Sequence, residues 1–168
     1  STLVIEPLSV IELFHSFLLY LLNGAAVEQC SCTALFAIVF GDSTFIAHIG
    51  DGDCCIITSV KNEQQIHFLT DKDESLFANQ TYSLGKKNQV EKWKFCVQPT
   101  VELEACFLVT DGIADDLASE HRIDFYRELL NQYRLLSDIE VTLDVKHWIS
   151  DWPVTGHSDD KTIAALYR

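Results

Sequence analysis

The 168-residue sequence contains no methionine at all, not even at position 1. Two readings follow: a processed chain that uses none, or part of a longer protein. Basic residues are also scarce, with 12 Lys and Arg against 25 Asp and Glu and a formal net charge of -13. Phosphate-rich surfaces are gripped by clustered Lys and Arg, so no nucleic-acid partner and no anionic membrane surface is expected. The longest apolar stretch, Leu8 to Leu22, is interrupted by Glu12 and His15. It is short for a membrane span and lacks the basic leader and small-residue cleavage site of a signal peptide, so it reads as a core-facing helix. No H-E-x-x-H, G-x-S-x-G or G-x-x-x-x-G-K motif is present, and the residue that an EF-hand loop starting at Asp51 requires to be Gly is Ile56. There is no C-x2-C pair, which argues against a zinc site. The six cysteines fall mostly inside apolar strand-like runs, and the adjacent Cys54 and Cys55 point to opposite faces of a strand. Free thiols in a reducing, cytoplasmic compartment are therefore expected rather than a disulfide framework.

What is present fits one domain of ordinary globular composition, 48% hydrophobic and 22% charged. Pro7 opens a pattern in which Leu8, Ile11, Phe14, Leu18 and Leu22 recur at steps of three and four. That spacing predicts a helix ending near Asn23-Gly24, with a further turn through residues 25–28. Strands are predicted over residues 33–40, 44–49, 54–60 and 65–69, joined by turns at Gly41-Asp42 and Lys61-Asn62. The stretch 70–98 lacks a clear period and reads as a loop-rich insertion with short strands. Residues 101–103 and 106–110 resume the sheet, 113–133 and 137–149 read as helices, and 161–167 as a closing strand. Strands grouped together without strand-helix-strand alternation predict an α+β layered sandwich.

Three acidic turns stand at the tips of the most apolar strands: Gly50-Asp51-Gly52-Asp53, Thr110-Asp111-Gly112 and Ser158-Asp159-Asp160-Lys161-Thr162. Carboxylates sharing one end of a core must be solvated and spread, or held by a cation. Hard divalent cations take such oxygen ligands. Glycines beside the aspartates permit sharp turns and close backbone approach.

In order, Cys32-Thr33-Ala34-Leu35, His48-Ile49-Gly50-Asp51-Gly52-Asp53, Leu108 to Asp115 and Asp159-Asp160-Lys161-Thr162-Ile163 resemble the type 2C metal-dependent protein serine/threonine phosphatases, the bacterial branch more than the eukaryotic. The resemblance implies a four-layer α-β-β-α sandwich with two antiparallel sheets and a metal centre of two or three Mn2+ or Mg2+ ions at one edge. By the same resemblance Asp111 and Asp159 are metal ligands central to catalysis, Asp51 and Asp115 are metal residues of an accessory site, and Asp160 fills a neighbouring position. The implied reaction is hydrolysis of phosphoserine or phosphothreonine in a phosphorylated protein, with a cognate Ser/Thr kinase as a further partner. The family's first motif, Asp-Gly-x-Gly, has no match in residues 1–30, and no Arg precedes Arg122. Residues 1–168 are thus expected to form a single phosphatase-like domain that lacks its N-terminal strand segment. The alternative expectation is a catalytically inactive domain of the same fold that serves as a binding or regulatory module.

Other candidates have plainer readings. His48 and His67 lie in strand patterns and read as satisfied sheet residues. His157, two residues before Asp159, is a candidate for contact with substrate or metal-bound water. Trp148 and Trp152 read as packing at a helix end, Lys86-Lys87 as a solvated turn, and Glu102 and Glu104 as the exposed face of a strand.

Overall fold

The structure is a computed structural model that describes residues 6–25, 29–69, 82–85, 89–152 and 159–168. The elements run α1 (Pro7–Leu22), β1 (Ala34–Phe40), β2 (Ser43–Ile49), β3 (Asp53–Val60), β4 (Glu63–Phe68), β5 (Lys94–Pro99), β6 (Leu103–Val109), α2 (Asp111–Ala114), α3 (Arg122–Tyr133), α4 (Asp138–Ser150) and β7 (Ile163–Tyr167). Local chemistry accounts for most of the boundaries. Pro7 stands at the start of α1, and Asn23 ends it in the left-handed region at φ 45°. Lys61 and Asn62, at φ 53° and 67°, supply the two left-handed residues of a tight hairpin between β3 and β4. Ser137 and Glu140 cap α4 reciprocally, the Ser137 amide donating to Glu140 Oε2 at 2.8 Å.

The strands form two antiparallel sheets, ordered β1-β2-β5 and β4-β3-β6-β7. Alternation along the strands sorts the apolar residues into three clusters. Ile46, Cys54, Ile56, Leu103 and Cys106 fill the space between the sheets, with Leu35, Ala37 and Leu108 packed against them. Phe45, Ala47 and Ile49 take the opposite face of the first sheet, where Ile11 of α1 and Trp93 cover them. Cys55, Ile57, Ala105, Phe107 and Val109 take the outer face of the second sheet, under Tyr126, Leu129, Leu130 and Tyr133 of α3. The chain thus has the expected α+β class, with two antiparallel sheets and helices packed on them. All six cysteines are free thiols, and Cys54 and Cys55 do point to opposite sides.

Three sequence expectations need correction. Residues 94–99 form a full edge strand of the first sheet rather than part of a loop-rich insertion, hydrogen-bonded along β2 from Ser43↔Pro99 to His48↔Lys94. Cys96 and Gln98 are half-buried, whereas Phe95 and Val97 on its other face stay exposed. The helix expected over 113–133 is broken into α2 and α3 by turns at residues 115–121. Ile113 and Tyr126 are both fully buried against the same sheet. An unbroken helix would set them about 140° apart around its axis, so it could not bury both against one sheet. Glu102 and Val101 also lie in a turn before β6, not in a strand. Lys86, Lys87 and His157, and residues 26–28 of the turn expected after α1, fall outside the described residues. No described helix is long and apolar enough to cross a membrane.

Candidate metal centre

Register brings the three acidic turns to one end of the second sheet. Asp53 on β3 pairs with Val109 on β6, and Val109 pairs with Ile163 on β7. Because neighbouring strands are antiparallel, Asp51 and Asp111 (two residues beyond the pairing) and Lys161 (two residues before Ile163, preceded by Asp159 and Asp160) all leave the sheet at the same edge.

Backbone contacts hold these turns together. Thr110 N donates to Thr162 O at 3.1 Å, Thr110 Oγ1 donates to Asp160 O at 3.1 Å, and Thr162 N donates to Thr110 Oγ1 at 3.0 Å. The glycines are there because nothing larger fits. A Cβ at Gly112 would lie 2.6 Å from Asp160 O and 3.2 Å from Asp159 O, and one at Gly52 would lie 2.5 Å from Val109 O. The second turn thus touches the third, and the first touches the end of β6. Gly50 combines φ 128° with a Thr33 Cβ only 2.4 Å from where its own Cβ would be, so the left-handed backbone and the space both require glycine there.

Asp51, Asp115, Asp159 and Asp160 are exposed, and Asp111 is half-buried. Asp111 Oδ1 accepts from Gly112 N at 2.8 Å, which fixes the orientation of its carboxylate at the start of α2. Asp115 N donates to Asp111 O at 2.8 Å, one helical turn on. Among the described residues, no three His, Cys, Asp or Glu side chains lie close enough to hold a single ion. What the edge offers is a donor type: hard carboxylate oxygens on solvent-facing turns whose glycines let the backbones touch. That set fits Mg2+ or Mn2+ and does not suit a soft, thiolate-seeking metal.

Several residues of the site carry no motif in the sequence. Asp116 has a fully buried side chain; its Oδ2 accepts from Trp152 Nε1 at 2.6 Å and lies 3.9 Å from Lys161 Nζ. Lys161 Nζ also donates to Asp159 O at 3.2 Å. This group ties the third turn to the segment after α2, so Trp152 does more than pack against Trp148. On the other side, buried Asp53 accepts from Arg122 Nε at 2.6 Å and from Tyr126 OH at 3.1 Å. His48 is the main departure from expectation. It faces the space between the sheets, is 4% exposed, and its Nε2 is buried without a hydrogen-bond partner. Burial strips water from the imidazolium and the Lys94 ammonium repels it, so its pKa falls to about 4 and the ring is neutral at neutral pH. His67, by contrast, is exposed.

Comparison with known proteins bears on this arrangement. A sequence profile of the family described as protein phosphatase 2C matches residues 16–152. Among solved structures, the Staphylococcus aureus serine/threonine phosphatase Stp1 is 18% identical with a TM-score of 0.56, covering 99% of this chain and 70% of that one. A mutant form of a bacterial serine phosphatase is 22% identical with a TM-score of 0.55, covering 98% of this chain and 69% of that one. A serine-threonine phosphatase 2C from Toxoplasma gondii is 16% identical with a TM-score of 0.50, covering 90% and 62% respectively. At these identities the likeness is one of fold. The chain spans 52% to 70% of the length of solved structures that it matches. Among curated proteins no sequence match is found.

Proposed function

Since the chain belongs to the protein phosphatase 2C family, we propose that its acidic edge is the divalent-metal centre of a protein serine/threonine phosphatase. The observation that carries this reading is the convergence of the Asp51, Asp111 and Asp159 turns at one end of the second sheet, through the Asp53–Val109–Ile163 register. In this reading Asp111 and Asp159 hold the catalytic Mn2+ or Mg2+, while Asp51 and Asp115 serve an accessory ion. A bound pair of such ions supplies charge neutralisation for the phosphoryl oxygens and a water acidic enough at neutral pH to attack phosphorus. The chain's own part is positioning. The Thr110 clasp sets the second turn against the third, and the Gly112 amide orients the Asp111 carboxylate. The buried Asp116, Trp152 and Lys161 group keeps Asp159 from swinging away. The substrate class is a phosphoserine or phosphothreonine protein, with a cognate kinase as the source of the phosphate.

The test is hydrolysis of a phosphothreonine peptide. Activity should require Mn2+ or Mg2+ and should vanish in Asp111→Asn; turnover that persists in a chelator would refute the reading. A second reading, a catalytically inactive domain with a binding role, is favoured by the absence of a three-donor group among the described residues. It requires no metal-dependent hydrolysis by the wild-type chain and partner affinity that Asp111→Asn leaves unchanged.

A further inference from the structure

Beneath the acidic edge lies a buried ion pair that the family reading does not use. Arg122 donates from Nε to Asp53 Oδ2 at 2.6 Å and from Nη2 to Asp53 Oδ1, and Tyr126 OH donates to Oδ2 at 3.1 Å. The Arg122 guanidinium lies 3.6 Å over the Phe68 ring. Asp53 is 1% exposed and Arg122 9%. Taking two charges out of water is costly, and apolar side chains of similar volume commonly stabilise a core as well or better. Stability alone is therefore a poor reason for this pair to be here. A two-pronged guanidinium–carboxylate fork does something an apolar contact cannot, because it fixes two pieces of backbone in both distance and angle.

The two pieces it fixes are the ones that carry the candidate ligands. Asp53 follows Asp51 by two residues and pairs with Val109, two residues before Asp111. Arg122 begins α3, where the 115–121 turns that follow Asp115 come to an end. The fork thus closes the segment from Asp111 to Arg122 back onto the Gly50–Gly52 bend. Its two partners lie 69 positions apart in sequence.

We propose that Asp53, Arg122 and Tyr126 form a clamp that sets the spacing between Asp51 and the Asp111–Asp115 turn, and through it the affinity of the edge for a divalent cation. The metal part of this inference rests on the reading of the edge given above; the clamp itself does not. These are positioning residues, since none of them is required to touch an ion or a substrate.

The test uses Arg122→Lys, which keeps the charge but loses the fork, and Asp53→Asn, which keeps the shape, as a second variant should the first fail to fold. Leu130→Ala serves as a control: it weakens the packing of α3 on the sheet without involving the fork. Amide hydrogen exchange is followed in the metal-free chain at Thr110, Ile113 and Asp115, whose N–H groups donate to Thr162, Thr110 and Asp111 carbonyls. The clamp predicts that exchange at these three amides accelerates in the fork variants beyond the change seen across the rest of β6. Leu130→Ala should move them only in step with the whole sheet. Exchange at the edge that follows global stability alike in all variants overturns the clamp. Mn2+ titration of the same proteins should give affinity lower by about 10- to 100-fold in the fork variants, the range for losing a group that orients metal ligands, and unchanged in Leu130→Ala. Equal affinity in all of them overturns the coupling to metal. A wild-type chain that binds no Mn2+ refutes the metal reading of the edge, and the exchange data then decide the clamp alone.

Discussion

Replacing Gly112 by alanine sets two opposed effects against each other, and the structure says which prevails. Gly112 lies in α2 with no positive φ, so its backbone would accept alanine, and helix propensity alone favours the change by about 1 kcal/mol at most. Against this, the added Cβ would meet Asp160 O at 2.6 Å and Asp159 O at 3.2 Å, both backbone atoms that cannot rotate away. Relief requires the second and third turns to part, which puts at risk the three hydrogen bonds joining Thr110 to Asp160 and Thr162. At about 0.5–1.5 kcal/mol each, their loss outweighs the propensity gain. A net destabilisation of roughly 2 kcal/mol is expected, a fall in Tm of about 4–8 °C for a chain of this size. The assay is thermal unfolding of Gly112→Ala beside Gly24→Ala. Gly24 has φ 86° but no atom within 4 Å of an added Cβ, so it suffers backbone strain without a collision. It follows α1, which packs on the first sheet rather than on the one that carries the acidic edge. Both variants should melt earlier, and only Gly112→Ala should also weaken Mn2+ binding. A Gly112→Ala chain as stable as wild type, or more so, would refute the claim that the two turns are in contact.

Two further outcomes follow from buried groups. His48 has its pKa lowered to about 4 in the folded chain, whereas in the unfolded chain it takes up a proton at about 6.5. The unfolded state therefore gains protons first as pH falls, and stability drops between about pH 6.5 and pH 4, by at most about 3 kcal/mol. Denaturant unfolding of metal-free His48→Gln should show a shallower loss across that window than wild type; parallel curves would contradict the burial. The Cys54 thiol is pushed far up by its hydrogen bond with Cys106 and by burial, and burial raises Cys55 as well. Burial lifts Cys96 to about 11, while Cys32 is exposed. An aromatic disulfide reagent at pH 8 should modify Cys32 in the native chain and reach Cys54 and Cys55 only on unfolding, as read by mass spectrometry.

Much of this fold is legible in the sequence because it is written locally. Pro7 and Asn23-Gly24 bound α1, the pair Lys61-Asn62 dictates its hairpin, and the short unbroken apolar run from Cys54 to Ile57 forecasts a strand buried on both faces. The three acidic turns are visible for the same reason, each being a short polar tip on an apolar strand. What escapes the sequence depends on partners distant along the chain. β5 does not stand out within a stretch that reads as loop-rich with short strands, and its identity as a full edge strand comes from its pairing with β2, far earlier in the chain. The break between α2 and α3 is invisible to helix periodicity, since Leu117 and Phe125 continue a plausible apolar pattern. It is decided by the need to bury Ile113 and Tyr126 against one sheet. Asp53 reads as one more acidic turn residue until Arg122 and Tyr126 arrive from α3. His48 reads as an ordinary strand residue because nothing in its neighbourhood tells that its Nε2 will be enclosed without a partner. Local pattern thus finds the ligand candidates, and only the register of β3, β6 and β7 tells that they share an edge.

The central proposal is that this shared edge binds divalent cations, with Asp111 and Asp159 as the ligands of the catalytic metal. Calorimetric titration of the metal-free chain with Mn2+, set beside Asp111→Asn and Asp159→Asn, tests it most directly. The account predicts saturable binding by the wild-type chain that either substitution abolishes, with Tm of the variants unchanged in the absence of metal. Binding heats that are the same in all three proteins, or absent from all three, would contradict it.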